Sequence, residues 1–122
     1  MISQWQDLGD FFVYRKNEVD YRIFYRDSLQ NHPQEINKPV LLLIHGFPTA
    51  SLDWQHIWDE LSHYFRLLTL DMIGFGLSDK PEVYEYTIHD QADIFQTLLN
   101  NVNITDYHIL AHDYGDTVAQ EL

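Results

Sequence analysis

Ile109-Leu110-Ala111-His112-Asp113-Tyr114-Gly115-Asp116-Thr117-Val118-Ala119-Gln120-Glu121-Leu122 is the stretch that decides how the rest of the chain is read. Ile109 to Ala111 is apolar and strand-like, Asp113 occupies a small-x-Asp-x-small turn between Ala111 and Gly115, and Thr117 to Leu122 suits the first turns of a helix. A sharp strand-to-helix turn lifts one side chain above the end of a sheet, where a substrate can reach it. At such nucleophile elbows the lifted residue is often Ser; here it is Asp113. A carboxylate nucleophile forms an ester, which suits attack on an sp3 carbon carrying a leaving group or belonging to a strained ring. The turn also leaves open a second role for Asp113, as the cap of the following helix.

Upstream, the pattern alternates between strand and helix. Phe11 to Tyr14 and Val19 to Tyr25 are aromatic and β-branched runs, and Lys16-Asn17-Glu18 between them predicts a hairpin. Asp27 to Pro39 is polar with two prolines and reads as a surface loop. Val40-Leu41-Leu42-Leu43-Ile44 is apolar without alternation, as in a strand buried on both faces of a parallel sheet. Trp54, Ile57, Trp58, Leu61 and Phe65 then follow helical spacing, with Ser51 expected as N-cap and Asp53 in the first turn. Leu67 to Leu70 is a short strand ending at Asp71, followed by a structured loop containing Gly74, Gly76, Ser78, Asp79 and Pro81. Thr87 is expected to cap a second helix, with Asp90 in capping-box position and a stripe of Ile88, Ala92, Phe95, Leu98, Leu99 and Val102. Tyr107 to Ala111 is the strand that enters the elbow. The order, a β-hairpin followed by βαβαβ, predicts an α/β fold with a mainly parallel sheet and helices on both faces.

Composition narrows the function. The chain has 122 residues and a formal net charge of −12, which disfavours binding to nucleic acid, whose phosphates are held mainly by Lys and Arg. Without Cys there is no disulfide framework, thiol nucleophile or Cys-based metal site. His108 and His112 are four residues apart on a strand, about 13 Å, which argues against a metal pair. Gly74-Phe75-Gly76 is not a nucleotide loop, because Asp79 stands where the third glycine would fall and no phosphate-cradling Lys-Ser/Thr follows. No metal and no cofactor are expected. No run approaches the roughly 18 to 20 apolar residues of a membrane span. The N-terminus lacks the basic start and apolar run of a signal peptide, so the cytoplasm is the default compartment.

Three motifs fall at the carboxyl ends of the expected strands, where open α/β sheets bind ligands. They are His45-Gly46-Phe47-Pro48-Thr49, Asp71-Met72-Ile73-Gly74-Phe75-Gly76-Leu77-Ser78-Asp79-Lys80-Pro81, and the elbow with His112-Asp113-Tyr114-Gly115-Asp116. Together they resemble the α/β-hydrolase fold family, in the branch that holds epoxide hydrolases, haloalkane dehalogenases and the mesoderm-specific transcript-like hydrolases. The resemblance runs from about Phe11 onward. It implies Asp113 as nucleophile, and the backbone N–H groups of Phe47 and Tyr114 as the oxyanion hole, with both side chains lining the pocket. It implies structural roles for His45, Gly46, Pro48, Asp71, Gly74, Gly76 and Gly115, and a cis bond before Pro48. The implied substrate is a small molecule.

The chain departs from that pattern in places. Tyr114 stands where these enzymes usually place Trp, and Phe47 where many dehalogenases carry Asn, so the resemblance points toward epoxide chemistry rather than halide release. Asp116 stands where the family commonly carries Gly, a second carboxylate three residues from Asp113. The family's catalytic His, its acidic partner and the cap domain come C-terminal to the elbow helix, and none of the seven histidines here lies after the elbow. Residues 1–122 therefore read as the N-terminal part of a single α/β-hydrolase domain, truncated after the elbow, and inactive in isolation. The alternatives are a non-catalytic α/β-hydrolase-like protein and a haloalkane dehalogenase-like hydrolase.

Overall fold

The computed structural model describes residues 2–31, 33–46, 49–112 and 114–122. Helix α1 (Ile2–Asp7) leads into the hairpin β1 (Asp10–Lys16) and β2 (Val19–Asp27). Then follow β3 (Val40–Ile44), α2 (Gln55–Ser62), β4 (Arg66–Leu70), α3 (Ile88–Asn101), β5 (His108–Ala111) and α4 (Tyr114–Glu121). The five strands form one sheet in the order β1-β2-β4-β3-β5. It is mixed: β3 runs parallel to β4 and to β5, with Leu42 opposite both Leu68 and Ile109, while β2 is antiparallel to β1 and to β4.

The hairpin closes through a two-residue loop in which Asn17 and Glu18 both have positive φ (51° and 67°), the backbone that matches strand twist in tight hairpins. The unbroken apolar run of β3 has its expected cause. Leu42 and Ile44 face a core with Ile23, Leu68 and Leu70 under Ile94, Phe95, Leu98 and Leu99 of α3 and Val118 of α4. Leu41 and Leu43 face the opposite core with Phe24 and Leu67, under Trp5 of α1 and Trp58 of α2. Each fully buried Leu or Phe contributes roughly 1.5–3 kcal/mol, so a strand covered on both faces must be apolar throughout. β5 is the last strand in the sheet order, and Ile109 and Leu110 are exposed. Among the described residues no helix is long and apolar enough to cross a membrane.

Several local expectations are corrected, and one element was not expected. Helix α1, which the polar N-terminal residues did not announce, exists because Trp5 is buried against α2. Ser51 is not an N-cap. It opens a 3₁₀ turn, Ser51–Trp54, that precedes α2, Ala50 holds the cap position, and Ser51 is fully buried in longer-range bonds. Ile57 of α2 is exposed, while Trp54, Trp58, Leu61 and Phe65 of the expected stripe pack against the core. The segment after β2 is not surface loop at its start: Asp27 and Ser28 are buried. Asp27 takes both ends of the Arg66 guanidinium at 3.0 and 2.6 Å, and Ser28 Oγ accepts the Leu67 N–H. Thr87 caps α3 as expected, accepting the Asp90 N–H at 3.1 Å. The Asp90 carboxylate is not returned to that cap; it accepts from Tyr14 and Tyr84 and pairs with Lys16.

Candidate active site

Three turns converge beyond the carboxyl ends of β3, β4 and β5, and buried polar side chains hold them together. His45, fully buried, ends β3. Its Nε2 accepts the Met72 N–H at 3.0 Å, so the proton lies on Nδ1, which donates to the Gly46 carbonyl at 2.7 Å. Burial pushes the His45 pKa below its usual value, against the smaller upward pull of the Gly46 carbonyl, Asp71 and Asp53. The ring is therefore neutral and fixed in one tautomer, and it stacks edge-on against Phe75. The Gly46 carbonyl also accepts the backbone N–H of Thr49 at 3.2 Å and its hydroxyl at 2.9 Å. Gly46 and Thr49 are thus tied to each other by two hydrogen bonds. Phe47 and Pro48, including the expected cis bond and the Phe47 oxyanion N–H, lie outside the described residues.

Asp71, at the end of β4, organises the second turn. Its Oδ1 accepts the Ser51 N–H at 2.7 Å and its Oδ2 the Leu77 N–H at 2.8 Å, while its carbonyl accepts the Ser78 hydroxyl at 2.6 Å. Ser78 Oγ in turn accepts the Phe24 N–H of β2 at 2.9 Å. Gly76 (φ +53°) packs directly on the Asp71 carboxylate, and Gly74 (φ +90°) passes against Tyr86. Asp79 pins the far end of the loop, taking the Arg22 N–H on its carboxylate at 2.7 Å. Neither Ser51 nor Ser78 was singled out for this role from sequence; the partners are 20 and 54 residues away, beyond any local pattern.

The third turn joins β5 to α4. β5 ends at Ala111 and α4 begins at Tyr114, so only two residues connect them. The His112 N–H donates to the Ile44 carbonyl at 3.1 Å, and the His112 carbonyl accepts the Gly115 N–H at 3.0 Å. A Cβ on Gly115 would lie 2.7 Å from the carbonyl oxygens of both Ile44 and His45. Asp113, expected as the nucleophile, lies outside the described residues, as do the side chains of Tyr114 and Asp116. A cavity of about 410 Å³ opens beside this turn, lined by His45, Leu52, Asp53, Trp54, Gln55, His56 and His112. The Trp54 indole N–H is buried and has no hydrogen-bond partner among the described residues.

Comparison with known proteins agrees with this frame. The family model for the alpha/beta hydrolase fold matches residues 39–121. The mesoderm-specific transcript homolog protein of Bos taurus is 44% identical over 125 residues, covering 99% of this chain and 35% of its own. A haloalkane dehalogenase of Agrobacterium fabrum is 35% identical over 89 residues, covering 72% of this chain and 29% of its own. The crystal structure of a probable hydrolytic enzyme from Pseudomonas aeruginosa superposes with a TM-score of 0.80 at 23% identity, over 91% of this chain and 35% of that one, a likeness of fold. The chain spans about a third of the length of the curated relatives it matches.

Proposed function

This chain belongs to the alpha/beta hydrolase fold family, and from that premise we propose that the complete protein is a hydrolase working through an ester on Asp113, with an epoxide as its substrate class. The observation that carries this reading is the two-residue passage from β5 to α4, with Gly115 pressed against the Ile44 and His45 carbonyls. A turn that tight has no slack, and it supports a side chain at position 113 raised above the sheet. The first N–H groups of a helix have no partner within it, so the start of α4 at Tyr114 is suited to hold negative charge. In this reading the Phe47 N–H takes the second place in the oxyanion hole.

In the proposed reaction a carboxylate oxygen of Asp113 attacks an epoxide carbon, the ring C–O bond breaks, and the alkoxide takes a proton. Water then adds to the ester carbonyl, its negative charge held by the two N–H groups. The tetrahedral intermediate expels the diol and regenerates the carboxylate, which keeps one oxygen from water. A His base and an acid C-terminal to the elbow helix are assigned to activating that water. Tyr114 and Phe47, in place of Trp and Asn, favour ring opening over halide release in this reading. One turnover of an aryl epoxide in heavy-oxygen water tests it: label is expected in the Asp113 carboxylate. Label found in the diol alone would mean direct attack by water, and absence of any turnover of epoxide, haloalkane or ester would favour a non-catalytic member of the family.

A further inference from the structure

Two arginines are buried in this fold, and their surroundings differ. Arg66 on β4 meets Asp27 through two hydrogen bonds, 3.0 and 2.6 Å long. Arg26 on β2 is 4% exposed, and among the described residues its Nε has no hydrogen-bond partner and no carboxylate lies within ion-pair distance of it. Its guanidinium carbon sits 4.3 Å from the Trp5 ring centre and 4.5 Å from that of Trp58. The two indoles meet edge to face, 5.1 Å between centres, and form a corner around the cation. Such contacts attract a cation, but they return only part of what it loses on leaving water. Burial lowers the Arg26 pKa to about 10, with Asp59 pulling the other way, so the group remains charged at neutral pH.

The unpaired cation borders a cavity of about 160 Å³, lined by Gln4, Trp5, Leu8, Arg26, Gln55, Trp58 and Asp59. A water molecule occupies roughly 30 Å³ in the liquid, so the space suits a group of several heavy atoms. A planar guanidinium fork is matched to carboxylate and phosphate oxygens. Asp59 lines the same cavity but, among the described residues, makes no ion pair with Arg26, which leaves the guanidinium fork open to an oxyanion from outside. We propose that this cavity between α1, α2 and β2 is a binding site for a small oxyanion, a carboxylate or phosphate group, held by the Arg26 Nη groups between the indole walls of Trp5 and Trp58. Asp59 at the rim weakens the site for multiply charged ligands. The site is also wired to the loops of the candidate active site. The Trp5 indole N–H donates to Ser51 Oγ at 3.0 Å, and the Ser51 N–H donates to Asp71.

Two of the chain's three tryptophans wall the cavity, so indole fluorescence reports on its occupancy. The complete protein is titrated separately with sodium phosphate and with sodium acetate, ionic strength being held constant with sodium chloride. A saturable change is expected with at least one anion, and which one responds identifies the ligand class. Arg26→Met is expected to abolish it. Asp59→Asn, at an exposed position where folding is not at stake, is expected to tighten it roughly three- to tenfold by removing a nearby like charge. No saturable change with either anion, an unaltered curve in Arg26→Met, or an unaltered midpoint in Asp59→Asn would overturn the proposal. If Arg26→Met loses cooperative unfolding, the wild-type and Asp59→Asn titrations decide.

Discussion

Gly76 lies on the carboxylate of Asp71: a Cβ at position 76 would come within 2.3 Å of Oδ2, the oxygen that accepts the Leu77 N–H. The backbone there is left-handed, at φ +53°. Gly76→Ala therefore pays twice, about 1–2 kcal/mol for the left-handed conformation and a further amount for displacing Asp71. The expected result is a denaturation midpoint shifted by at least the first of these. Because the displaced carboxylate also holds the Ser51 N–H, proteolytic sensitivity should rise at the turn before α2 as well as at residue 76. A variant as stable as wild type would show that the Asp71 carboxylate moves freely, contrary to its two short bonds to the Ser51 and Leu77 N–H groups.

Gly115 faces an obstacle that cannot move aside so easily, since the atoms nearest its missing Cβ are backbone oxygens of Ile44 and His45. Gly115→Ala must push α4 away from the end of β3 or break the His112–Gly115 turn bond. Overpacking of this kind costs roughly 1–3 kcal/mol. On the function proposed above, the loss of turnover in the complete protein should exceed the loss of stability, because the start of α4 is displaced with Gly115. Equal stability and unchanged kcat in Gly115→Ala would remove the case for a tight elbow.

How much of this was legible in the sequence depends on how far apart the interacting residues lie. β3 was readable because a short, β-branched and leucine-rich apolar run without polar alternation fits a strand covered on both faces, and both cores bear this out. Thr87 was readable as a cap because its partner is three residues away. Ser51 was misread by the same local rule: its N–H and Oγ are taken by Asp71 and Trp5, 20 and 46 residues distant, and that tertiary claim outweighs capping. Helix α1 has six residues, too few for a periodicity, and is held by one buried side chain. In the candidate site the three motifs were visible as turns. The long-range bonds of His45 to Met72, Asp71 to Ser51 and Ser78 to Phe24 were not, because their partners lie 27, 20 and 54 residues away.

The two Arg–Asp pairs in the sheet should respond very differently to truncation. Arg66–Asp27 is buried and doubly bonded, whereas Arg15–Asp20 is a single 2.9 Å contact between side chains more than half exposed. Asp27→Ala would leave a buried guanidinium unpaired and also the Leu29 N–H that Asp27 accepts. The expected cost is about 3–5 kcal/mol. Asp20→Ala should cost less than about 1 kcal/mol. Equilibrium denaturation of the two variants separates them, and similar midpoints would mean that the buried pair is not formed in solution.

His45 gives stability a defined dependence on pH. Its folded pKa is depressed from 6.5, first by burial, so the folded ring stays neutral where the unfolded one takes up a proton. Between the lower folded value and 6.5 the unfolded chain binds more protons, and stability rises with pH at up to about 1.4 kcal/mol per pH unit. The contribution is complete above 6.5 and is lost as pH falls toward the folded value. Acidification would place a proton on Nε2, where the Met72 N–H already points, so protonation requires the turn after β4 to part from β3. His45→Gln keeps an acceptor for Met72 but cannot titrate. It should be less stable than wild type at pH 8, and the gap should narrow as pH is lowered through 6.5 and below. Denaturation curves across that range check it, and a constant gap between wild type and His45→Gln would mean that His45 titrates no differently folded than unfolded.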